Sequence, residues 1–244
     1  PRPQPASLYS RRIVEICAML QGMSSSELPA TSPVSHELAT ARAEQPVYVI
    51  AAHPEWRISR VTARLMAAAR TLPDVAVNDL YSSYPDYAID VHAEQRRLQA
   101  AQLVVMLFPL RWYSMPALLK LWVDDVLSYG WAYGPTRAAL VGKRLWLVAS
   151  AGGPDASYQP DGYNGHSMDE FLLPWQQMAR LCGMRYLPPL VLYGANRVSD
   201  AELEAHTKQL TQALRSWHQW ASGADSNPND STEVPTSDRP LSAV

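Results

Sequence analysis

The chain has 244 residues, 47% hydrophobic and 18% charged, and its 21 basic and 23 acidic side chains leave a net charge of -2. That balance excludes a wholly disordered or collagen-like polymer and provides no strong field to attract nucleic acid or anionic lipid. Two cysteines, Cys17 and Cys182, cannot make a disulfide framework and fit a reducing compartment, while 8 Trp and 12 Tyr beside 2 Phe suit half-buried walls as well as ordinary core.

Residues 1–45 are expected to form a mostly disordered leader. Arg11-Arg12 followed by Ile13–Leu20 has the outline of a signal peptide, but Glu15 interrupts the apolar run and it is too short to span a bilayer. Met23 is a plausible alternative start. Residues 222–244 string together Ser, Asp, Asn, Pro and Thr, and such a segment cannot repay its ordering entropy, so a disordered tail is expected there. One domain, 46–221, remains between them.

Within that domain, Pro46–Ala52 is an apolar, β-branched run stopped at His53-Pro54, which reads as a strand buried on both faces. From Ser59 the period changes: Val61, Leu65, Met66 and Ala69 share one helical face. A second strand is expected over Val75–Tyr81, a short helix around 93–101 and a third strand over Leu103–Phe108, ended by Pro109. Pro116 opens a helix running to about Ser128. Arg144–Ser150 reads as a fourth strand ended by Gly152-Gly153, followed by a helix near 168–181, a fifth strand near 185–193 and a closing helix near 199–220. Strand and helix alternating five times predicts an α/β fold: a five-stranded parallel sheet with helices on both faces.

Ligands of open α/β sheets bind beyond the carboxyl ends of the strands, so three loops are candidates. In His53–Ser59, helix amides near Ser59, with its hydroxyl and Arg57 or His53, could hold a phosphate; equally, Ser59 could be only an N-cap. The loop lacks the glycine patterns of dinucleotide folds and nucleotide hydrolases. The second loop, Pro109–Pro116, sets Trp112 and Tyr113 between two prolines, as a ligand wall or a hydrophobic plug. The third, Ser150–Pro154, places Gly152 and Gly153 where backbone can approach a ligand, with Tyr158 over it or merely on the surface. There is no nucleophile elbow, the six histidines lack metal-ligand spacing, and Asp124-Asp125 reads as a solvated helix face. A flat, phosphate-bearing ring, bound without a metal, fits these loops, and among common cofactors a flavin nucleotide fits best.

His53-Pro54 with Ser59, the stretch Pro109–Trp122, Gly130–Tyr133, and Gly152-Gly153 with Tyr158 together resemble the flavodoxin-like NAD(P)H:quinone oxidoreductases. The branch most resembled is the bacterial ancillary oxidoreductase of glutathione-regulated potassium efflux systems, with Tyr84–Asp90 also similar, and the likeness covers about 47–220. The resemblance implies a flavodoxin-like fold and a cytoplasmic homodimer with flavin sites at the subunit interface, peripheral to the inner membrane face if a transporter is bound. It implies hydride transfer from NAD(P)H through the flavin to a quinone. It places His53 and Ser59 near the flavin phosphate and Pro109, Leu110, Arg111 and Trp112 along the ring; Arg57 and Tyr113, in the same two loops, are added as cofactor-binding candidates. Ser150, Ala151, Gly152 and Gly153 fall on its pyrimidine side, and Tyr133 is an aromatic wall lent to the partner's site. Tyr158 occupies the position of the tyrosine that supports charge on the reduced ring.

The sequence departs from the pattern in places. Thr62 stands where Asn is frequent, and Arg111 where Gln is common; Arg111 could favour an anionic reduced flavin or a nicotinamide phosphate. Asn164 occupies the place of the histidine that partners the tyrosine, with His166 nearby, so Tyr158, Asn164 and His166 are the candidate catalytic residues. The domain's end soon after its last helix points to FMN rather than FAD. The alternative is a regulatory subunit of a potassium efflux transporter with incidental redox activity; a one-electron carrier fits poorly, since such carriers are usually strongly acidic.

Overall fold

The computed structural model describes residues 46–135 and 139–222; the leader and most of the tail discussed above lie outside these. The chain runs β1 (Val47–Ala51), α1 (Val61–Ala69), β2 (Val75–Asp79), α2 (Leu80–Ser83), α3 (Val91–Ala100), β3 (Leu103–Pro109) and α4 (Ala117–Val126). It continues through β4 (Arg144–Ser150), α5 (Met168–Leu181), β5 (Arg185–Tyr186), β6 (Leu190–Leu192), α6 (Asp200–Arg215) and α7 (Trp217–Ser222). The strands form one parallel sheet in the order β2-β1-β3-β4-β5, with β6 also paired to β4. The α/β class, the parallel pairing and the flanking helices agree with the expectation.

The apolar runs are continuous because both sheet faces are covered. Tyr48, Ile50, Val104, Met106, Phe108, Leu145 and Leu147 pack under α3, α4 and α5 against Leu98, Leu118, Trp122, Leu172 and Trp175. The alternate residues Val47, Val49, Val105, Leu107, Trp146 and Val148 face Leu65, Ala69, Leu203, Leu210 and Leu214 of α1 and α6. Two capping boxes, Ser167 with Glu170 and Ser199 with Glu202, begin α5 and α6 where the sequence placed them.

Three boundaries differ. The expected fifth strand is two short ones, because Pro188-Pro189 brings no N–H to the ladder. Leu187 still donates to the Leu145 carbonyl, and pairing resumes at Leu190. The second strand stops at Asp79 rather than Tyr81, since the Asp79 carboxylate accepts the Ser82 amide and caps α2. The last helix breaks at Ser216 into α6 and α7.

One polar cluster crosses the core. Glu94 of α3 is fully buried, and its carboxylate accepts from Tyr48 (2.6 Å), Tyr84 (2.6 Å), Trp122 (2.9 Å), Asn78 (3.0 Å) and Arg97. It ties β1, β2, α3, α4 and the segment after α2 together.

Candidate active site

A cleft of about 570 Å³ opens at the carboxyl ends of β1, β3 and β4, within the usual size of a small-molecule site. Eight of the sequence candidates line it: His53, Ser59, Pro109, Leu110, Arg111, Trp112, Ser150 and Gly152.

The first wall is the β1–α1 connection. His53 is buried, and its Nδ1 accepts the Glu55 amide at 3.1 Å, which fixes the ring and leaves Nε2 for the cleft. Burial first, and the nearby Arg111 guanidinium second, hold its imidazole below the ordinary histidine range. It is therefore neutral at pH 7 and acts as a hydrogen-bonding group rather than a counter-charge. The Ser59 hydroxyl accepts the Ala63 amide at 3.1 Å, so it is a helix cap and a cleft-lining group at once. Val61 and the buried Thr62, in the first turn of α1, bring their amides to the same end, where a helix start favours an anion. Arg57 is exposed and does not line the cleft, while the indole of the neighbouring Trp56 donates to Asp79 at 2.9 Å.

The second wall follows β3. Arg111 and Ser114 exchange backbone hydrogen bonds of 2.9 and 3.0 Å around Trp112 and Tyr113, at φ 51° and 62°. This is a two-residue turn with both central residues left-handed, the form normally given to Asn-Gly. Holding two aromatic residues there costs on the order of 1–3 kcal/mol each. The turn leaves Trp112 93% exposed at the cleft mouth. Tyr113 instead stacks on Phe171 of α5 (5.0 Å, 22°), and its hydroxyl reaches Asn164 Oδ1 at 3.3 Å.

The third wall follows β4. A side chain on Gly152 would press against Asn196 Nδ2 at 3.3 Å, so glycine keeps this wall flat. Ala151 is buried beneath it, and its carbonyl accepts the Ala195 amide. Tyr158 lies outside the cleft lining but against Gly153, within an aromatic group formed with Phe171 (5.9 Å) and Tyr193 (5.6 Å). Burial, then Tyr113, push its phenol above the ordinary tyrosine range, against the pull of the Gly153 amide. It is thus a protonated donor at neutral pH, and it is buried rather than on the surface. Asn164 is placed beside Tyr113, whereas His166 is exposed and sits 3.4 Å from Glu170. Tyr133 packs edge-on against Tyr129, away from the cleft. Asp124 is exposed and paired with Lys120, consistent with a solvated helix face.

Sequence reasoning missed a fourth wall. Ala195 and Asn196, after β6, close the cleft beside Gly152, and Ile58, 70% exposed, forms part of its rim. Asn196 follows Tyr193-Gly194 at the end of β6, and that aromatic-glycine stop, read with the rule that strand ends build sites, is the signal that could have drawn attention to it. Among the described residues, no group of three or more His, Cys, Asp or Glu is placed to hold a metal, and no helix is long and apolar enough to cross a membrane.

Comparison with known proteins agrees with this geometry. The sequence profile of the family described as Flavodoxin-like fold matches residues 45–218. An uncharacterized NAD(P)H oxidoreductase, YdeQ, of Bacillus subtilis is 45% identical over 155 residues, 64% of this chain and 79% of that protein. The structure of general stress protein 14 of Treponema denticola in complex with FMN superposes with a TM-score of 0.62 at 35% identity, covering 72% of this chain and 98% of that one. An NADPH-quinone reductase of P. pentosaceus superposes with a TM-score of 0.64 at 28% identity, covering 69% and 96%.

Proposed function

We propose that this chain, which belongs to the flavodoxin-like fold family, is an FMN-dependent NAD(P)H:quinone oxidoreductase. The observation that carries the reading is the convergence, in one cleft, of an anion-favouring helix start with two walls of ring-flat backbone. FMN in the Treponema relative and the oxidoreductase and quinone-reductase names of the others support it.

The residues fit the cofactor. The hydroxyls of Ser59 and Thr62, the first amides of α1 and His53 Nε2 are the donor set a phosphate needs. Pro109, Leu110 and Trp112 would orient the ring, and the glycine at 152 leaves room for it where a Cβ would intrude. Bound FMN supplies two-electron chemistry between a reduced nicotinamide and a quinone. The protein supplies donors at the edge of the ring where negative charge grows: the backbone after β4 and the phenol of Tyr158. Burial keeps the proton on Tyr158, despite the opposing hydrogen bond from the Gly153 amide, so the phenol has a proton to donate. Trp112 screens the mouth from water. Asn164 positions Tyr113 and through it the aromatic group around Tyr158. His166 is too exposed and too occupied with Glu170 to serve as the principal proton donor.

The finer reading has this enzyme as a homodimer, with Tyr133 walling the partner's site, ancillary to a potassium efflux system at the inner membrane face. It rests on the resemblance of Tyr84–Asp90 and Gly130–Tyr133, and co-purification with a transporter is its test. The central reading is tested by the spectrum of the purified protein and the mass of the cofactor it releases. Yellow protein that releases FMN and oxidises NAD(P)H with a quinone supports it; colourless protein that ignores added FMN overturns it.

A further inference from the structure

Arg111 is held at the base of the β3 turn by two backbone hydrogen bonds to Ser114, so its side chain leaves the sheet from a fixed point and lines the cleft. It shares that lining with His53 at the end of β1 and with Trp112 beside it. Among the described residues Arg111 makes no ion pair, and the cleft lining contains neither Asp nor Glu. Arg60, the other arginine of the lining, is committed to Asp200 at 2.6 Å and to the Val198 carbonyl. A cofactor phosphate has its own donors at the start of α1, while Arg111 stands at the end of β3, on the side of the ring. Beside it, Trp112 and Ile58 expose 93% and 70% of their surface, an apolar flank for a flat molecule.

Resting on the reading of the cleft as a flavin site, we infer that Arg111 selects, as electron acceptors, flat quinones that carry a negative charge on the ring. The planar guanidinium matches a phenolate, carboxylate or sulfonate in two-point fashion, and a single such charge-assisted contact gives about tenfold in binding. A neutral quinone gains only the apolar flank.

The test compares wild type with Arg111→Gln and Arg111→Lys, using 2-hydroxy-1,4-naphthoquinone, anionic at neutral pH, and the neutral 2-methyl-1,4-naphthoquinone. The ratio of kcat/KM for the anionic over the neutral acceptor should fall about tenfold in the Gln variant and be largely retained in the Lys variant. Taking the ratio cancels any effect on the flavin common to both acceptors. Salt should lower the ratio in wild type and leave it flat in Arg111→Gln. A ratio unchanged within twofold overturns the inference, and so does a change confined to NADPH against NADH, which would assign the charge to the hydride donor. Calorimetric titration of the same proteins with 2-hydroxy-1,4-naphthoquinone needs no turnover. Binding about tenfold weaker in Arg111→Gln supports the inference, and equal or absent binding in both overturns it. Failure of the flavin reading would show separately, as protein without FMN.

Discussion

Replacing Glu94 by Gln tests whether the buried carboxylate organises the fold. Each carboxylate oxygen accepts from two or more donors: Oε2 from Tyr48 and Trp122, Oε1 from Tyr84, Asn78 and Arg97. An amide keeps one accepting oxygen and turns an NH2 toward the other set. A tyrosine hydroxyl can rotate to accept from it, but the Trp122 indole or the Asn78 amide nitrogen cannot. At least one buried donor is therefore left opposite another, and the charge-assisted character of the remaining bonds is lost. With hydrogen bonds to charged groups at roughly 1.5–3 kcal/mol, the loss is about 3–5 kcal/mol. For a domain of this size that is a fall in Tm of about 10 °C or more. Urea unfolding followed by Trp fluorescence measures it, with an unchanged m-value confirming that the native state and not the denatured ensemble has altered. A Glu94→Gln protein within about 1 kcal/mol of wild type would refute the reasoning, because it would mean that the donors repair themselves without the charge.

Burial and the Glu94 carboxylate raise Tyr48 far above the ordinary range and push Tyr84 up to about 12, and burial with Asp155 nearby raises Tyr193 to about 12. Their contribution is thus fully present below the unfolded value near pH 10 and is lost as pH climbs toward the folded values, by up to about 1.4 kcal/mol per pH unit for each tyrosine; a denaturation series from pH 9 to 12 that stays flat would contradict it. Tyr158→Phe should slow flavin reduction by NADPH in stopped flow by about ten- to a hundredfold, the ~1.4–2.7 kcal/mol of one oriented donor, and an unaltered rate would remove the phenol from the chemistry. Gly162→Ala places a methyl group 2.1 Å from the Ala156 carbonyl, so the 155–166 loop must shift; FMN affinity should drop at least tenfold, and retention of wild-type affinity would show that the loop does not support the site.

The sheet was legible because its strands are continuous apolar runs with conspicuous stops: His53-Pro54, Pro109 and Gly152-Gly153 each mark the point where a strand hands the chain to the cleft. The break at Pro188-Pro189 was equally visible but was overridden by the hydrophobic residues on either side, and pairing only to β4 made the interruption tolerable. Glu94 gave no signal, since a carboxylate in a charged-looking helix reads as surface until Tyr48, 46 residues earlier, is brought against it. Asn196 and Phe171 were hidden for a related reason: their roles come from loops and helices that meet the site only after the sheet has formed. Conversely, the charge of Arg57 suggests a phosphate ligand, but charge alone does not bring a residue of an exposed connection into the cleft.

The hairpin tip at Trp112 and Tyr113 sets two selective pressures against each other. Asn-Gly at these positions would relax the left-handed backbone and raise the melting point. It would also strip the indole from the mouth and the phenol from Phe171. A library screened for heat tolerance alone should therefore drift toward Asn-Gly here and yield sturdier but catalytically blunted proteins, whereas a screen for turnover should keep both rings and accept the softer fold.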